Sequence, residues 1–465
     1  MKKLSVSNTG TNIKFVMLLL FFCFFFSKES YSQVLSQKDG IPIILFTEGP
    51  PDIPQNEVIK MKNLGVDIIH HTNVEDYMVE RFVQSGLKVM PYQMSTANNW
   101  IYQYTANAHY TEWEAEGTTP DKGNVTLEYN PDISLIASEN GRIGVKTIAG
   151  RPAANLIKGP GYRQNGHERY RDDHPIFYDA DFIMRINPIN PNINLFDPIY
   201  ENVVVCTLKV VSHNVTLDKA SGTMTISEAP LMSFSNIITI QNFKNYDWDT
   251  LFIHHYDWRN GGVSMHDPQM KQKVSYEGQY VQFIVDWAGD TLLQLSIDKV
   301  VVSDAPGREL KKPQTIAYNQ IAAEVNSLPH PDAIEIFYSA DEPTSIDNYE
   351  PYRMVDNMVF AITGNKRIIT SLNTHYNGKY GNSQSGSFKY YLAEEFWKRA
   401  NPMFLWLNAY PFHYYYKPNE HPNWREENIN LQIQKIKNVS ENDSNWGQDI
   451  QCTKWIVIKK DDNGK

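Results

Sequence analysis

Cysteine is scarce: the 465 residues contain three, Cys23, Cys206 and Cys452. With Cys23 assigned to an N-terminal leader, two remain, too few for a disulfide framework and without metal-ligand spacing. Stability therefore has to come from packing. Clustered basic residues are missing too, and the net charge is -10. That excludes a surface built to track phosphates, and with it nucleic acid as a partner. No glycine-rich phosphate loop is present. Beyond residue 26 no segment is long and apolar enough to span a bilayer.

What is there begins with the leader itself. Lys2, Lys3 and Lys14 precede an apolar run over 15–26, and Ser30-Tyr31-Ser32 follows as a small-x-small cleavage signal. This reads as a secretory signal peptide over 1–32, with a mature start at Gln33 and a secreted or periplasmic destination. A retained anchor is the competing reading. After cleavage no membrane association is expected. The composition, 42% hydrophobic and 21% charged, is globular, and the length suits two or three domains. Aromatics reach 12%, which favours flat apolar ligand surfaces, sugars among their possible ligands.

Along the chain, 41–46, 66–70 and 87–92 read as apolar strands, and 56–65 and 73–86 between them read as helices. Tight β-α-β-α-β connections imply a parallel sheet with right-handed crossovers. From about 110 to 304 the helical period vanishes. Alternating runs over 176–186, 203–211, 223–226, 237–241, 250–255, 279–287 and 292–302 replace it, as in a β-sandwich or jelly roll. The α/β rhythm returns after Pro313, with strands over 333–339, 367–372, 403–407 and 455–458 and helices between most of them.

The expected fold is thus α/β: a (β/α)8 TIM-barrel-type domain interrupted after strand three by an all-β domain. The boundaries are 33–104 and 313–465 for the barrel and 105–312 for the insert. Its non-insert residues number roughly 225, against the roughly 250 such a barrel uses. Seven strands are legible, so the barrel is expected to be C-terminally incomplete. An open doubly wound sheet is the alternative.

Strand C-terminal ends are where a parallel α/β sheet builds its ligand site. They carry Glu48, His71 and Asn73, Tyr92, the pair Asp341 and Glu342, Asn373 and His375, and Asn408 and Tyr410. Carboxylates, amides and aromatics suit neutral, hydroxyl-rich ligands. Of the consecutive His70 and His71, only one can face the site. At strand four, Glu335, Phe337, Ser339 and Asp341 share one face, and its polar members suggest that this face points inward. Glu342, on the face of Ile334, Ile336 and Tyr338, would reach the mouth by strand-end twist.

The run Ala340-Asp341-Glu342-Pro343 resembles the Asn-Glu-Pro that ends strand four in many retaining (β/α)8 glycoside hydrolases. The resemblance implies Glu342 as general acid/base, with Asp341 at the position of the Asn that contacts the sugar 2-hydroxyl. Glycoside hydrolysis needs a second carboxylate opposite the first, and two adjacent residues of one strand cannot supply both. The resembling families place it at strand seven. Here 455–458 is followed by Lys459-Lys460-Asp461, with no Glu: either the chain lost that part or the second carboxylate comes from elsewhere, with Glu48 and Asp341 as candidates.

Trp113-Glu114-Ala115-Glu116 and the run over 295–302 resemble carbohydrate-binding modules of the galactose-binding-like type. That resemblance implies a structural calcium held by Glu114, Glu116 and Asp298, with oxygen ligands of the kind the ion prefers. Ordinary surface charge is the alternative. Trp248, Tyr256, Trp258 and Trp287 are the candidates for stacking on sugars, or for core packing. No cofactor is expected for catalysis. The reading is hydrolysis of a polysaccharide or glycoside. The alternative is a non-catalytic glycan-binding protein on a degenerate or truncated barrel.

Overall fold

The computed structural model describes residues 44–47, 52–71, 75–91, 99–117, 127–164, 178–213, 215–217, 224–226, 229–230, 232–256, 279–312, 316–340, 343, 346–373, 392–403 and 406–408. The leader and the strand expected over 455–458 lie outside them.

Short strands and helices alternate first: β1 (Ile44–Thr47), α1 (Gln55–Asn63), β2 (Ile68–His71), α2 (Asp76–Gln84), β3 (Lys88–Pro91) and α3 (Trp100–Asn107). The strands pair in parallel and in chain order, with Leu45 beside Ile69 and Ile69 beside Val89. These three belong to one core with Val58 of α1 and Met78, Val79 and Phe82 of α2. The sheet's other face carries Ile68 and Met90. Burial on both faces is why β2 shows no alternation in sequence.

The all-β stretch comprises β4 (Tyr110–Glu114), β5 (Glu128–Tyr129), β6 (Ser134–Glu139), β7 (Arg142–Thr147), β8 (Ala154–Gln164), β9 (Tyr178–Pro188) and β10 (Val204–His213). It continues with β11 (Val215–Leu217), β12 (Met224–Ile226), β13 (Met232–Thr239), β14 (Asp249–Tyr256), β15 (Gln279–Trp287) and β16 (Leu293–Ser303). One sheet runs β13-β10-β15-β8-β5 and the second β14-β9-β16-β7-β6, with β4 also paired to β16. Every second residue of β9, β10 and β15 (Phe182 and Met184, Leu208 and Val210, Phe283 and Val285) is fully buried in one shared core. That alternation makes the two sheets a sandwich.

Strands β4, β6, β7 and β8 were not anticipated from the sequence. A signal for the β6–β7 hairpin was nevertheless present in Asn140-Gly141. These residues take φ of 46° and 77° and close the pair Glu139–Arg142. Both central residues of a two-residue loop at positive φ are what Asn-Gly favours.

A bulge in β16 explains another irregularity. Leu293, Leu295 and Ile297 point into the core, and so do Val300 and Val302, although the phase changes between them. The register against β9 shifts between Ile297 and Lys299, which places Asp298 as the extra residue. Beside it, β7 comes so close that a Cβ on Gly144 would stand 2.3 Å from the Ile297 carbonyl oxygen.

The chain then resumes its alternation: α4 (Ala305–Lys311), α5 (Ile316–Ser327), β17 (Phe337–Tyr338), α6 (Tyr349–Thr363), β18 (Ile368–Ile369), β19 (Ser371–Asn373), α7 (Leu392–Ala400) and β20 (Trp406–Asn408). Val89 bridges Ile334 in parallel, β17 pairs with β18, and β19 pairs with β20, again in parallel. Among the described residues, the parallel pairings β1-β2-β3, Val89–Ile334, β17-β18 and β19-β20 follow chain order. The protein is mixed α/β with strands predominating. Closure into a barrel is not shown among the described residues.

Strand four departs from expectation in its facing. Ile336 and Tyr338 cluster with Ile68, Met90 and Ile369, all strand residues, on the inner face of the sheet. Phe337 instead joins the large core that includes Tyr352 and Val355 of α6. The polar residues Glu335 and Ser339 misled the parity reading. Ser339 uses both its backbone N–H and its hydroxyl on the carbonyl of Ile369, so its polarity serves the neighbouring strand.

A methyl group at Gly144 has backbone on one side and no flexible side chain to displace. Gly144→Ala is expected to lower unfolding stability by about 1–3 kcal/mol, the usual range for overpacking. Urea denaturation read by tryptophan fluorescence measures it.

Candidate functional site

Parallel strands in chain order bring their C-terminal ends to one edge, and the inner face just below that edge carries a continuous side-chain contact. The His70 ring of β2 meets the Tyr338 ring of β17 edge-on, with centroids 4.7 Å apart. The Tyr338 hydroxyl lies 3.0 Å from Ser371 Oγ on β19. Above Tyr338, the strand-four end is tied sideways, because Thr370 Oγ1 donates to the carbonyl oxygen of Ala340.

His71 was the histidine selected from sequence. The structure turns it the other way, edge-on to Phe82 of α2 at 5.6 Å and fully buried on the helix side. His70 is the one that shares the inner face with Tyr338. Burial and the neighbouring His71 pull the His70 pKa down to about 3, so the ring is neutral around pH 7. It is positioned to serve as a hydrogen-bonding or packing group, without charge.

Asn373 and Asn408 end two adjacent parallel strands and are register partners. Glu48, Asn73, Tyr92, Asp341, Glu342, His375 and Tyr410 lie outside the described residues. Tyr338 was missed by sequence reasoning. Its signal was even spacing ahead of Glu342 within an otherwise apolar strand.

Glu324 of α5 was also missed, and no local motif marks it. Its Oε2 accepts from the backbone N–H of Ile101 at 2.8 Å, reaching across to the first turn of α3. Burial lifts its pKa to about 7, opposed by hydrogen bonds from the Ile101 and Trp100 backbone. Asn99 caps the same helix end, accepting from Tyr102 N–H at 3.1 Å.

In the sandwich, two of the three residues proposed for calcium sit beside basic side chains, while Glu116 Oε2 is buried without a hydrogen-bond partner. Arg142 donates to Asp298 Oδ2 at 2.6 Å, and Lys299 Nζ lies 3.4 Å from Glu114 Oε1. Glu114 and Glu116 have raised pKa values, through burial first and then through neighbouring carboxylates that include Asp298. The acids are thus near enough to repel one another. Among the described residues, however, no three acidic, His or Cys side chains form a group able to hold a metal. Arg142 and Lys299 supply positive charge to Asp298 and Glu114.

The stacking candidates divide. Trp287 is core, 2% exposed. Trp248 is partly exposed, donates to the Glu139 carbonyl at 3.2 Å, and has the guanidinium groups of Arg142 and Arg185 over its ring at 5.7 and 5.8 Å. Trp258 lies outside the described residues. Phe252, which the sequence reading passed over, is 47% exposed and stacks on His254 with centroids 3.8 Å apart. No described helix is long and apolar enough to cross a membrane.

No family model matches the chain, and no curated protein matches it. Among solved structures it is similar to a family 61 carbohydrate-binding module in complex with beta-1,4-galactotriose, at 9% identity over 41% of this chain and 97% of that one, with a TM-score of 0.20. A family 11 carbohydrate-binding module of a cellulosomal cellulase of Clostridium thermocellum matches at 9% identity over 42% and 88%, with a TM-score of 0.20. An arabinose-bound GH51 α-L-arabinofuranosidase matches at 9% identity, covering 58% of this chain and 56% of that one, with a TM-score of 0.24.

The two shifted groups predict opposite pH responses. His70 has a lowered folded-state pKa, so its contribution to stability is complete above 6.5 and is lost as pH falls toward about 3. Glu324 has a raised one, so its contribution is complete below 4.5 and is lost as pH rises through about 7. His70→Gln should therefore flatten the acid limb. In urea titrations the wild type should lose up to ~1.4 kcal/mol more per pH unit than the variant between 6.5 and 4. Parallel acid limbs would remove His70 as the cause.

Proposed function

We propose that this chain is an exported carbohydrate-active protein whose parallel-sheet part hydrolyses a glycosidic bond, with Glu342 as general acid/base and Asp341 beside it. One observation supports the assignment above the others. Ile336 and Tyr338 turn to the inner face, and Glu342 follows them at even spacing. Alternation continued past Tyr338 would carry that phase to the edge where parallel sheets hold their ligands. The neighbouring strand ends bear Asn373 and Asn408, amides suited to sugar hydroxyls. Glu48 stands as the candidate second carboxylate, on the first strand's C-terminal side. Retention or inversion follows from the separation of the two carboxyl groups.

A second reading, glycan binding without turnover, is favoured by the sandwich. The outer face of its second sheet presents the exposed Phe252–His254 stack, with Asp181 Oδ1 3.4 Å from His254 Nε2. An exposed ring beside hydrogen-bonding groups suits a sugar ring, which offers C–H faces and hydroxyl edges.

Two variants separate these readings. On a panel of aryl glycosides and soluble polysaccharides, Glu342→Gln should lose roughly 10²–10⁴-fold in kcat, the range for general acid/base groups. Full turnover in that variant would sink the acid/base assignment. Phe252→Ala should weaken retardation in glycan affinity gels by about three- to tenfold while leaving kcat on aryl glycosides unchanged.

A further inference from the structure

The sheet β14-β9-β16-β7-β6 has two edge strands, and the structure treats them differently. At β14 the edge is engaged. The Phe252 carbonyl oxygen accepts from Asn236 Nδ2 of β13 at 3.2 Å, a bond that ties the two sheets together. At β6, among the described residues, no strand pairs with the side turned away from β7. The hairpin register shows which groups that side presents. Glu139 and Arg142 close its two-residue loop, and at its far end the Ile148 N–H donates to the Ile133 carbonyl at 2.8 Å. Hydrogen-bonded pairs alternate along an antiparallel ladder, so Leu135 and Ala137, in phase with those two, turn their backbone groups to β7. Ile136 and Ser138 therefore point N–H and C=O outward.

Natural sheet edges are commonly blunted by lysine, proline or a bulge. β6 reads Ser134-Leu135-Ile136-Ala137-Ser138-Glu139 and pairs with β7 without a register shift, so it has none of these. Its single charge, Glu139, turns its carboxylate to Lys146 and Ser296 within the same sheet. Apolar side chains stand on both faces of the hairpin instead. Leu135 and Ile136 are each 47% exposed, and Ile143 of β7, across from Ser138, is 54% exposed.

We propose that β6 pairs antiparallel with β6 of a second copy of this chain, about a two-fold axis at Ala137, so that one sheet runs through both molecules. A second copy fits because the strand is self-complementary in three respects. Centring on Ala137 sets Ile136 of each copy opposite Ser138 of the other, so outward N–H and C=O groups meet on both strands. The residue on the axis is small, and the exposed Ile143 of each copy flanks the incoming Ile136 of the other. Leu135 comes opposite the second copy's Glu139, whose carboxylate Lys146 already neutralises, so no like charges face each other. The pairing does not depend on the glycosidase reading.

Sedimentation and cysteine cross-linking of the full chain test it. The wild type should sediment as a dimer in the micromolar range. Ile136→Lys should weaken association by about tenfold or more, as an edge lysine does, while leaving the urea midpoint unchanged. Ser138→Pro removes an outward N–H that β7 does not use, and should weaken association likewise. With Cys23 and Cys452 replaced by serine, Ala137→Cys should give a disulfide-linked dimer on mild oxidation, because residues opposed in a non-hydrogen-bonded pair stand about 4.5 Å apart. Leu135→Cys, displaced along the strand from its own counterpart, should not. A monomer throughout that range would overturn the proposal. So would a dimer that Ile136→Lys and Ser138→Pro leave intact, or one that Leu135→Cys links and Ala137→Cys does not.

Discussion

The antiparallel pairing of β4 with β16 is the contact on which the rest depends. It sets Tyr110 opposite Ser303 and so brings together the two points where the chain leaves and rejoins its α/β part. Asp304, the next residue, binds the junction from inside. Its carboxylate accepts from the His109 backbone N–H at 3.0 Å and from Gly307 N–H at 2.7 Å, and the His109 ring lies 2.9 Å from its other oxygen. One side chain thus joins the strand pair and caps α4.

A second layer of charge surrounds that pairing. Arg399 of α7 donates to Glu350 at 3.0 Å, to Thr111 Oγ1 at 2.8 Å and to the Glu112 carbonyl at 3.0 Å, with the Trp113 ring beneath its guanidinium at 4.3 Å. Burial works against that charge, but Glu395 and Glu350 outweigh it and raise the pKa. Glu112 is held down to about 2: burial would raise it, but Lys299, Tyr110 and Lys311 donate to it. A buried charge network of this kind adds little net stability compared with apolar packing, yet removing one member leaves the others uncompensated. Its effect is therefore to define one arrangement of helices α6 and α7 against β4.

Periodicity carried much of the fold. The β-α-β-α-β opening, the loss of helical period near residue 110 and its return after Pro313 are all present in the structure, because helices and half-buried strands advertise themselves at 3.6 and 2.0 residues. The bulge at Asp298 was not legible, since an extra residue looks like broken alternation until its partner strand is known. The inner face was not legible either. Ile68-Ile69-His70-His71 is buried on both sides and has no pattern from which to choose. At strand four, Ser339 suggested that its face points inward, but its hydroxyl satisfies a neighbouring carbonyl.

What the sequence by itself determined is local and chemical: strand and helix identity, the scarcity of cysteine, and the Ala340-Asp341-Glu342-Pro343 run that suggests a sugar-processing strand end. What only the tertiary structure decided is which side each residue turns to and what holds it there. It made His70 the inner histidine in place of His71. It set Arg142 beside Asp298 and Lys299 beside Glu114. It also tied the strand-four end to a helix that begins 240 residues earlier, since Trp100 and Ala340 stand that far apart in the chain. Local order follows from backbone geometry and alternation, which neighbouring residues encode. Facing and fastening are set by partners far along the chain, which reach each other only after the sheets have packed.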